Sequence, residues 1–351
     1  MFEPGLLPQY RYDIPPELIA SAPTAERDHS RLFVVDSQTG ETHDDIFSDI
    51  GNWLPAGALI VFNETKVVPC RVELSKDTGG KLEILFLVDR GFESGLIQGL
   101  SNRNILVGRK LVFKSGETLE IVDQQENIFF FRPDFPIERL GDLFEKHGVM
   151  PIPKYLGESS LKEGELRDRY QTVFARKPGS VAAPTASLHF TEAVFSDLKK
   201  RGFDFAFIHL HVGLGTFSPV RPEHLADRKL HRERYEISRE AAEQIAAAKK
   251  EGRPIVAVGT TVMRTLESAA SLALTGQPAS GETDLFIQPP YAFRVADTLI
   301  TNFHVPESSL MCLVDAFLEY KRCPHRIMEL YKEAIQKRFR FFSFGDSMLI
   351  R

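Results

Sequence analysis

Residues 178–220 read PGSVAAPTASLHFTEAVFSDLKKRGFDFAFIHLHVGLGTFSPV. The stretch sets a small-residue loop, a helix and a buried strand in a row, the order of an α/β unit. The loop Gly179–Ser187 consists of small residues that let a ligand approach the backbone, and His189 follows it. Thr191 is a candidate N-cap, Lys199-Lys200-Arg201 suit the negative end of a helix dipole, and Gly202 suits the C′ position. Phe203–Val212 is apolar and aromatic, which predicts a buried strand. It runs into His211-Val212-Gly213-Leu214-Gly215-Thr216. Ligands of open α/β sheets bind beyond the carboxyl ends of strands, so this histidine and two glycines form a first site hypothesis.

The pattern repeats downstream. A strand over Pro254–Val258 precedes Gly259-Thr260-Thr261, and a strand over Asp297–Thr301 precedes Asn302-Phe303-His304. Strands alternating with helices predict a mostly parallel or mixed sheet, whose parallel strands bring these loops to one edge. Helices are expected at Asp45–Trp53, with Ile46, Ile50 and Trp53 on one side, and at Ile137–Gly148, Thr191–Arg201, Ser238–Glu251, Val262–Leu274, Ser308–Tyr320 and His325–Arg338. Leu32–Asp36 and Glu41–His43 read as a hairpin. Leu285–Ile287 reads as a strand after a loop at Thr275–Gly281, and Phe339–Ile350 as a closing strand pair. Pro151–Gly157 reads as a rigid connector and Ser159–Asp168 as an exposed charged stretch.

Between Val67 and Asp134 the texture changes. Six short β-rich runs (Val68–Leu74, Lys81–Asp89, Gly95–Leu100, Lys110–Lys114, Glu117–Val122 and Ile128–Arg132) alternate with turns such as Asp77-Thr78-Gly79-Gly80 and Ser115-Gly116. Even spacing of short strands predicts a small antiparallel barrel. The expected organisation is an α/β segment over 1–66, an inserted barrel over 67–150, and a second α/β segment over 151–351 carrying most of the site.

With 351 residues the chain buries a full core, and 43% hydrophobic residues with mixed charges mark a globular protein. The formal net charge of −5 carries no global nucleic-acid signature, so an RNA partner needs a local patch. Arg228–Arg234, Lys199-Lys200-Arg201 and Lys337–Phe342 are candidate patches; a solvated face or a core strand explains each as well. Cys70, Cys312 and Cys323 are scattered, which argues against a disulfide framework or cysteine zinc site. No secretory or membrane-spanning run is visible, and a cytoplasmic location is expected.

The loops allow several chemistries. Gly259-Thr260-Thr261 before a helix suits a carboxylate or phosphate, and equally an ordinary N-cap. Gly213-Leu214-Gly215 resembles a nucleotide loop, but Pro219 and Pro222 follow where the fingerprint needs a helix. His209 and His211 share one face of a strand, as in metal hydrolases, or His209 is a core residue. His189, His211 and His304 read as acid, base or hydrogen-bonding groups.

Nine blocks then carry a family resemblance: Phe62–Val67; Thr78-Gly79-Gly80 with Glu83; Arg169–Val173; Val181–Ala186 with Leu188-His189-Phe190; Leu210–Phe217; His231, Glu233 and Tyr235; Val258–Thr261 with Arg264–Glu267; Leu299–His304; and Phe341–Asp346. Together they resemble the S-adenosylmethionine:tRNA ribosyltransferase-isomerase family over almost the whole chain. Lys66 stands where that pattern has arginine, Ser187 where it has glycine and Glu319 where it has a small residue; Ser309, Phe344 and Ser347 are milder departures. The resemblance implies an α/β domain interrupted by a small barrel. It implies a reaction in which the ribosyl part of S-adenosylmethionine is transferred and isomerised onto 7-aminomethyl-7-deazaguanine at the tRNA wobble position, releasing adenine and methionine. It implies S-adenosylmethionine as co-substrate, no metal, tRNA as partner, no membrane, no obligate protein partner, and a monomer. On that basis His189, His211 and His304 are the candidate catalytic residues. Thr185, Gly213, Gly215, Thr260, Thr261 and Asn302 are the candidate cofactor contacts, with the two threonines on the methionine carboxylate. The alternatives are a metal-dependent hydrolase using His209 and His211, and a non-catalytic RNA-binding protein.

Overall fold

Leu59–Asn63 and Ile255–Val258 are buried at every position. Runs without a polar alternate belong to strands covered on both faces. The computed structural model, which describes residues 6–90, 95–153, 159–213 and 220–351, places both at the centre of a nine-stranded mixed sheet. In chain order, β1 (Arg31–Val35) and β2 (Thr42–Ile46) form the expected hairpin; β3 is Leu59–Asn63, and β4 (Thr65–Val67) leaves the sheet. β5 (Arg71–Lys76), β6 (Lys81–Phe86), β7 (Ile97–Ser101), β8 (Lys110–Val112), β9 (Thr118–Gln125) and β10 (Ile128–Pro133) follow, then α1 (Leu140–His147), β11 (Gly148–Val149) and α2 (Glu163–Arg169). β12 (Lys177–Ser180) pairs with β4 in parallel. After α3 (Glu192–Lys200) come β13 (Asp204–Leu210), α4 (Pro222–Asp227), β14 (Lys229–Ile237) and α5 (Arg239–Lys250). β15 (Ile255–Val258), α6 (Thr260–Ser268), α7 (Ala270–Ala273), β16 (Ala279–Leu285) and β17 (Thr298–Asn302) lead to α8 (Ser309–Tyr320), α9 (Ile327–Gln336) and β18 (Ser347–Ile350).

The sheet order is β16-β14-β13-β3-β15-β17-β18-β1-β2. β13, β3, β15 and β17 are mutually parallel, so their carboxyl ends share one edge. Period-two alternation splits each central strand between two cores. Phe33, Val35, Leu59, Val61, Ile255 and Ala257 pack with α5, α6, α8 and α9. Leu32, Val34, Ile60, Phe62, Val256 and Val258 pack with Phe47, Phe190 and α3. Phe62 also contacts the rings of Phe174, Phe190, Phe195, Phe205 and Phe207, a cluster that accounts for part of the chain's phenylalanine content.

β5-β6-β7-β10-β9-β8 is antiparallel throughout and closes through β5–β8, giving a six-stranded barrel with β11 added beside β5. Its alternate residues Val72, Leu74, Leu82, Ile84, Phe86, Leu119, Ile121, Phe129 and Phe131 point inward. Leu140, Leu143 and Phe144 of α1 join that core. All six runs expected from the sequence supply its strands.

Several local expectations are corrected. Asp45–Trp53 holds a 3₁₀ helix over Phe47–Asn52 whose buried residues are Phe47 and Ile50, while Ile46 is exposed. Ser159–Asp168 holds all but the last residue of α2, tied down by Arg167, which donates to the Gly148 carbonyl at 2.7 Å and pairs with Glu145 at 2.8 Å. The strand expected at Leu285–Ile287 begins six residues earlier, in the segment expected to be a loop. Phe339–Ile350 supplies one strand, β18, since Phe341 bridges to Ile19 and only Ser347–Ile350 pairs within the sheet. Of the Pro151–Gly157 connector, residues 154–157 lie outside the described residues. Among the described residues, no helix is long and apolar enough to cross a membrane.

Candidate active site

Beyond the shared carboxyl edge lies a cavity of about 600 Å³. The sheet side of its wall is Thr185, Gly259-Thr260-Thr261, Arg264 and Thr301–His304; the barrel side is Arg71, Glu83, Ser101, Asn102 and Asn127. Thr185, Thr260, Thr261, Asn302 and His304, expected to meet from separate segments, therefore line one space. His189, His211 and Gly213 are not among its lining residues.

His304 is in the wall. Its Nε2 lies 2.9 Å from Thr301 Oγ1, its backbone N–H donates to Tyr331 Oη at 2.8 Å, and its carbonyl accepts from the Tyr12 hydroxyl. Burial pushes its pKa down to about 3, so the ring is neutral at pH 7. His189 lies one residue behind the wall. Asn302 Nδ2 donates to His189 Nε2 at 3.3 Å and to the carbonyls of Phe342 and Asp346 at 3.4 Å. These acceptors fix the amide orientation and make His189 Nε2 the unprotonated nitrogen, leaving Nδ1–H to donate to Ser30 Oγ at 2.7 Å. Burial lowers the pKa of His189 to about 4, against the opposing charge of Asp346.

His211 is not among the residues that line the cavity. Its Nδ1–H donates to the Gly179 carbonyl at 3.0 Å, so its Nε2 accepts from His209 Nε2–H at 3.0 Å. Burial lowers both pKa values, that of His209 to about 4. Among the described residues, this pair has no third metal-ligating group; the grouping of such side chains there is Glu26, Asp28 and His29 near the surface. The glycines of this region serve packing. A Cβ on Gly179, whose φ is +142°, would stand 2.2 Å from His211 Nδ1, and one on Gly213 would stand 2.1 Å from Asp89 Oδ2. Gly213 thus lets the end of β13 approach the segment after β6. Gly215 lies outside the described residues.

Two residues named in the family blocks but given no role sit at the centre of the wall. Glu233 of β14 and Arg264 of α6 form a buried ion pair. Glu233 Oε1 accepts from the Gly213 N–H at 3.1 Å, and Arg264 Nε donates to the Leu285 carbonyl at 3.2 Å. The pair joins segments far apart in sequence, so no local pattern announces it. The available signal was the spacing of Arg264, one helical turn after Thr260 and Thr261. His224 and His231, edge to face at 4.8 Å, also line the cavity. Five cavity-wall residues carry a buried polar atom with no hydrogen-bond partner among the described residues: Arg71 Nε, Thr261 Oγ1, Arg264 Nη2, Asn302 Oδ1 and Ser308 Oγ. Such groups are rare in native interiors, and their collection around one space suits a polar ligand.

The candidate phosphate-binding patches are largely neutralised. Lys229, Arg232 and Arg234 on β14 face Asp284 and Glu282 of β16. Lys337 is paired with Asp44 and Glu333, and Phe339, Phe341 and Phe342 are core residues.

Comparison with known proteins agrees with this geometry. A family model described as "Queuosine biosynthesis protein" matches residues 7–350. The chain is 44% identical over 347 residues to the S-adenosylmethionine:tRNA ribosyltransferase-isomerase of Carboxydothermus hydrogenoformans, covering 98% of this chain and 99% of that one. It is 43% identical over 343 residues to the protein of the same name from Legionella pneumophila strain Lens, covering 97% and 98%. The crystal structure of S-adenosylmethionine tRNA ribosyltransferase from Thermotoga maritima is 33% identical, with a TM-score of 0.55 over 98% of this chain and 100% of that one.

Proposed function

The chain belongs to the queuosine biosynthesis family of S-adenosylmethionine:tRNA ribosyltransferase-isomerases, and from that premise we propose that it acts on tRNA carrying 7-aminomethyl-7-deazaguanine at the wobble position. The ribosyl moiety of S-adenosylmethionine is transferred to that base and isomerised, giving epoxyqueuosine-tRNA, adenine and methionine. Such a substrate implies work in the cytoplasm. The observation that carries the reading is the single cavity between strand ends and barrel, with its five unsatisfied polar atoms. A nucleoside carrying both an amino-acid tail and a sugar offers polar partners along such a wall, and the barrel side leaves room for a second substrate.

A sulfonium acidifies the adjacent C5′ hydrogens and leaves readily. The protein must then accept a proton, return one to departing adenine, and hold the rest still. Of the three histidines expected to be catalytic, His304 is the one that lines the cavity, with a neutral ring hydrogen-bonded to Thr301. His189 positions Asn302 from behind, and Asn302 Oδ1 is oriented as an acceptor for a ribose hydroxyl or base amine. Thr260 and Thr261 offer the start of α6 to a carboxylate, and Thr185 completes that side. His211, held by Gly179, supports the small-residue loop.

The test is incubation with precursor tRNA and S-adenosylmethionine, following adenine and methionine by chromatography and the modified nucleoside by mass spectrometry. All three products are expected in equal amounts. Binding of tRNA without adenine release would overturn the enzymatic reading.

A further inference from the structure

The guanidinium of Arg264 is committed on two sides and uncommitted on the third. Nε donates to the Leu285 carbonyl, Nη1 pairs with Glu233, and Nη2 is buried with no hydrogen-bond partner among the described residues. Thr261 Oγ1, one turn earlier on α6, is also without a partner. Gly259 is the N-cap of this nine-residue helix and supplies no side-chain cap. The first N–H groups of a helix have no intrahelical acceptor. Three kinds of donor thus meet at one part of the cavity wall, and among the described residues neither Arg264 Nη2 nor Thr261 Oγ1 has a hydrogen-bond partner. A buried guanidinium N–H left without an acceptor is costly, so this part of the wall is built for an anionic group.

Glu233 narrows the class of that group. The carboxylate is buried, with Oε1 on the Gly213 N–H and Oε2 on Arg264, so the ion pair already balances its charge. A phosphate added here would bring net negative charge against a buried carboxylate, at a steep electrostatic cost. An α-amino acid group brings its own ammonium. Its carboxylate meets Arg264 Nη2, Thr261 and the helix start, while its ammonium meets the remaining acceptor capacity of Glu233.

We propose that Arg264, Glu233 and the amino end of α6 form a subsite for a zwitterionic α-amino acid group. The proposal rests on the function given above and deepens it: the subsite takes the methionyl end of S-adenosylmethionine, and it also holds methionine after that group has left. Free methionine is then a ligand in its own right, competing with the nucleoside.

The test is calorimetric titration of the full chain with three probes: S-adenosylhomocysteine, its methyl ester, and 5′-methylthioadenosine, which lacks the amino-acid end. Wild-type protein is expected to bind S-adenosylhomocysteine at least about tenfold more tightly than either of the others, the scale of one charge-assisted hydrogen-bonded contact. Arg264→Gln is expected to remove that advantage and to leave 5′-methylthioadenosine binding within about twofold. Arg264→Gln strands a buried carboxylate, so the double variant Glu233→Gln/Arg264→Gln is measured beside it, with circular dichroism reporting the fold. Equal wild-type affinity for the three probes would overturn the subsite while leaving the nucleoside reading intact. So would parallel weakening of both S-adenosylhomocysteine and 5′-methylthioadenosine in a folded variant. Wild-type protein that binds none of the probes would overturn the nucleoside reading, and this one with it.

Discussion

His189 has both ring nitrogens engaged inside the protein, on Ser30 and Asn302, and burial holds its pKa at about 4. A depressed folded-state pKa makes the unfolded chain the better proton acceptor between roughly pH 4 and 6.5. The stability that depends on a neutral His189 is therefore fully present above pH 6.5 and is lost as pH falls through that window. The loss is roughly 3 kcal/mol across the window, an order-of-magnitude figure for one buried imidazole. His209 and His304 add slopes of the same sign. In urea titrations at half-unit pH intervals, His189→Asn should show a shallower decline between pH 6.5 and 4 than wild type, by up to one proton. Identical slopes would mean that His189 titrates alike in both states. At pH 7 all three rings are neutral, so a pH profile of turnover near neutrality reports on substrate groups before it reports on them.

Helix α3 shows what a single cap does for an element. Thr191 Oγ1 accepts the Val194 N–H at 3.2 Å and donates to Asp28 Oδ2 at 2.6 Å, so one hydroxyl closes the helix and ties it to the 3₁₀ turn at Arg27–His29. Thr191→Ala should cost about 1–2 kcal/mol in chemical denaturation, and Thr191→Ser should recover most of it. An alanine variant as stable as wild type would show that neither bond contributes. This cap was legible in the sequence because capping is local, and so was that of Ser238, which accepts the Ala241 N–H. The barrel strands were legible because alternation and turns are local too. β14 and β16 were not. Lys-Leu-His-Arg-Glu-Arg-Tyr-Glu-Ile reads as a solvated basic stretch until Lys229 and Arg234 meet Asp284 and Glu282 across a strand pair. The site divides in the same way. Thr260, Thr261, Asn302 and His304 follow strands and could be placed by topology, whereas Glu233 and Arg264 acquire meaning only from a long-range ion pair. Gly213 drew notice as a ligand-approach residue, yet its missing side chain makes room for Asp89.

At the scale of the molecule, the cavity belongs to neither layer alone. Arg71, Glu83 and Asn102 of the barrel face Thr260, Arg264 and Asn302 of the sheet edge, and the segment carrying Asp89 packs against the end of β13. With a net charge of −5, and with Lys229, Arg232, Arg234 and Lys337 of its candidate basic patches paired, the chain has little long-range attraction for RNA. On the proposed function, selectivity then comes from this cleft, where two walls of different origin would read two parts of the substrates. A ligand filling the cleft should couple those walls. S-adenosylhomocysteine at 100 times its Kd stabilises the binding-competent state by about 2.7 kcal/mol, an amount that slows hydrogen exchange wherever opening breaks the site. Exchange should therefore slow not only at the start of α6 and the end of β17 but also in β6 and β7, which contact the ligand only across the cavity. Protection confined to the sheet edge would show that the barrel wall is not part of the nucleoside site and meets the RNA alone.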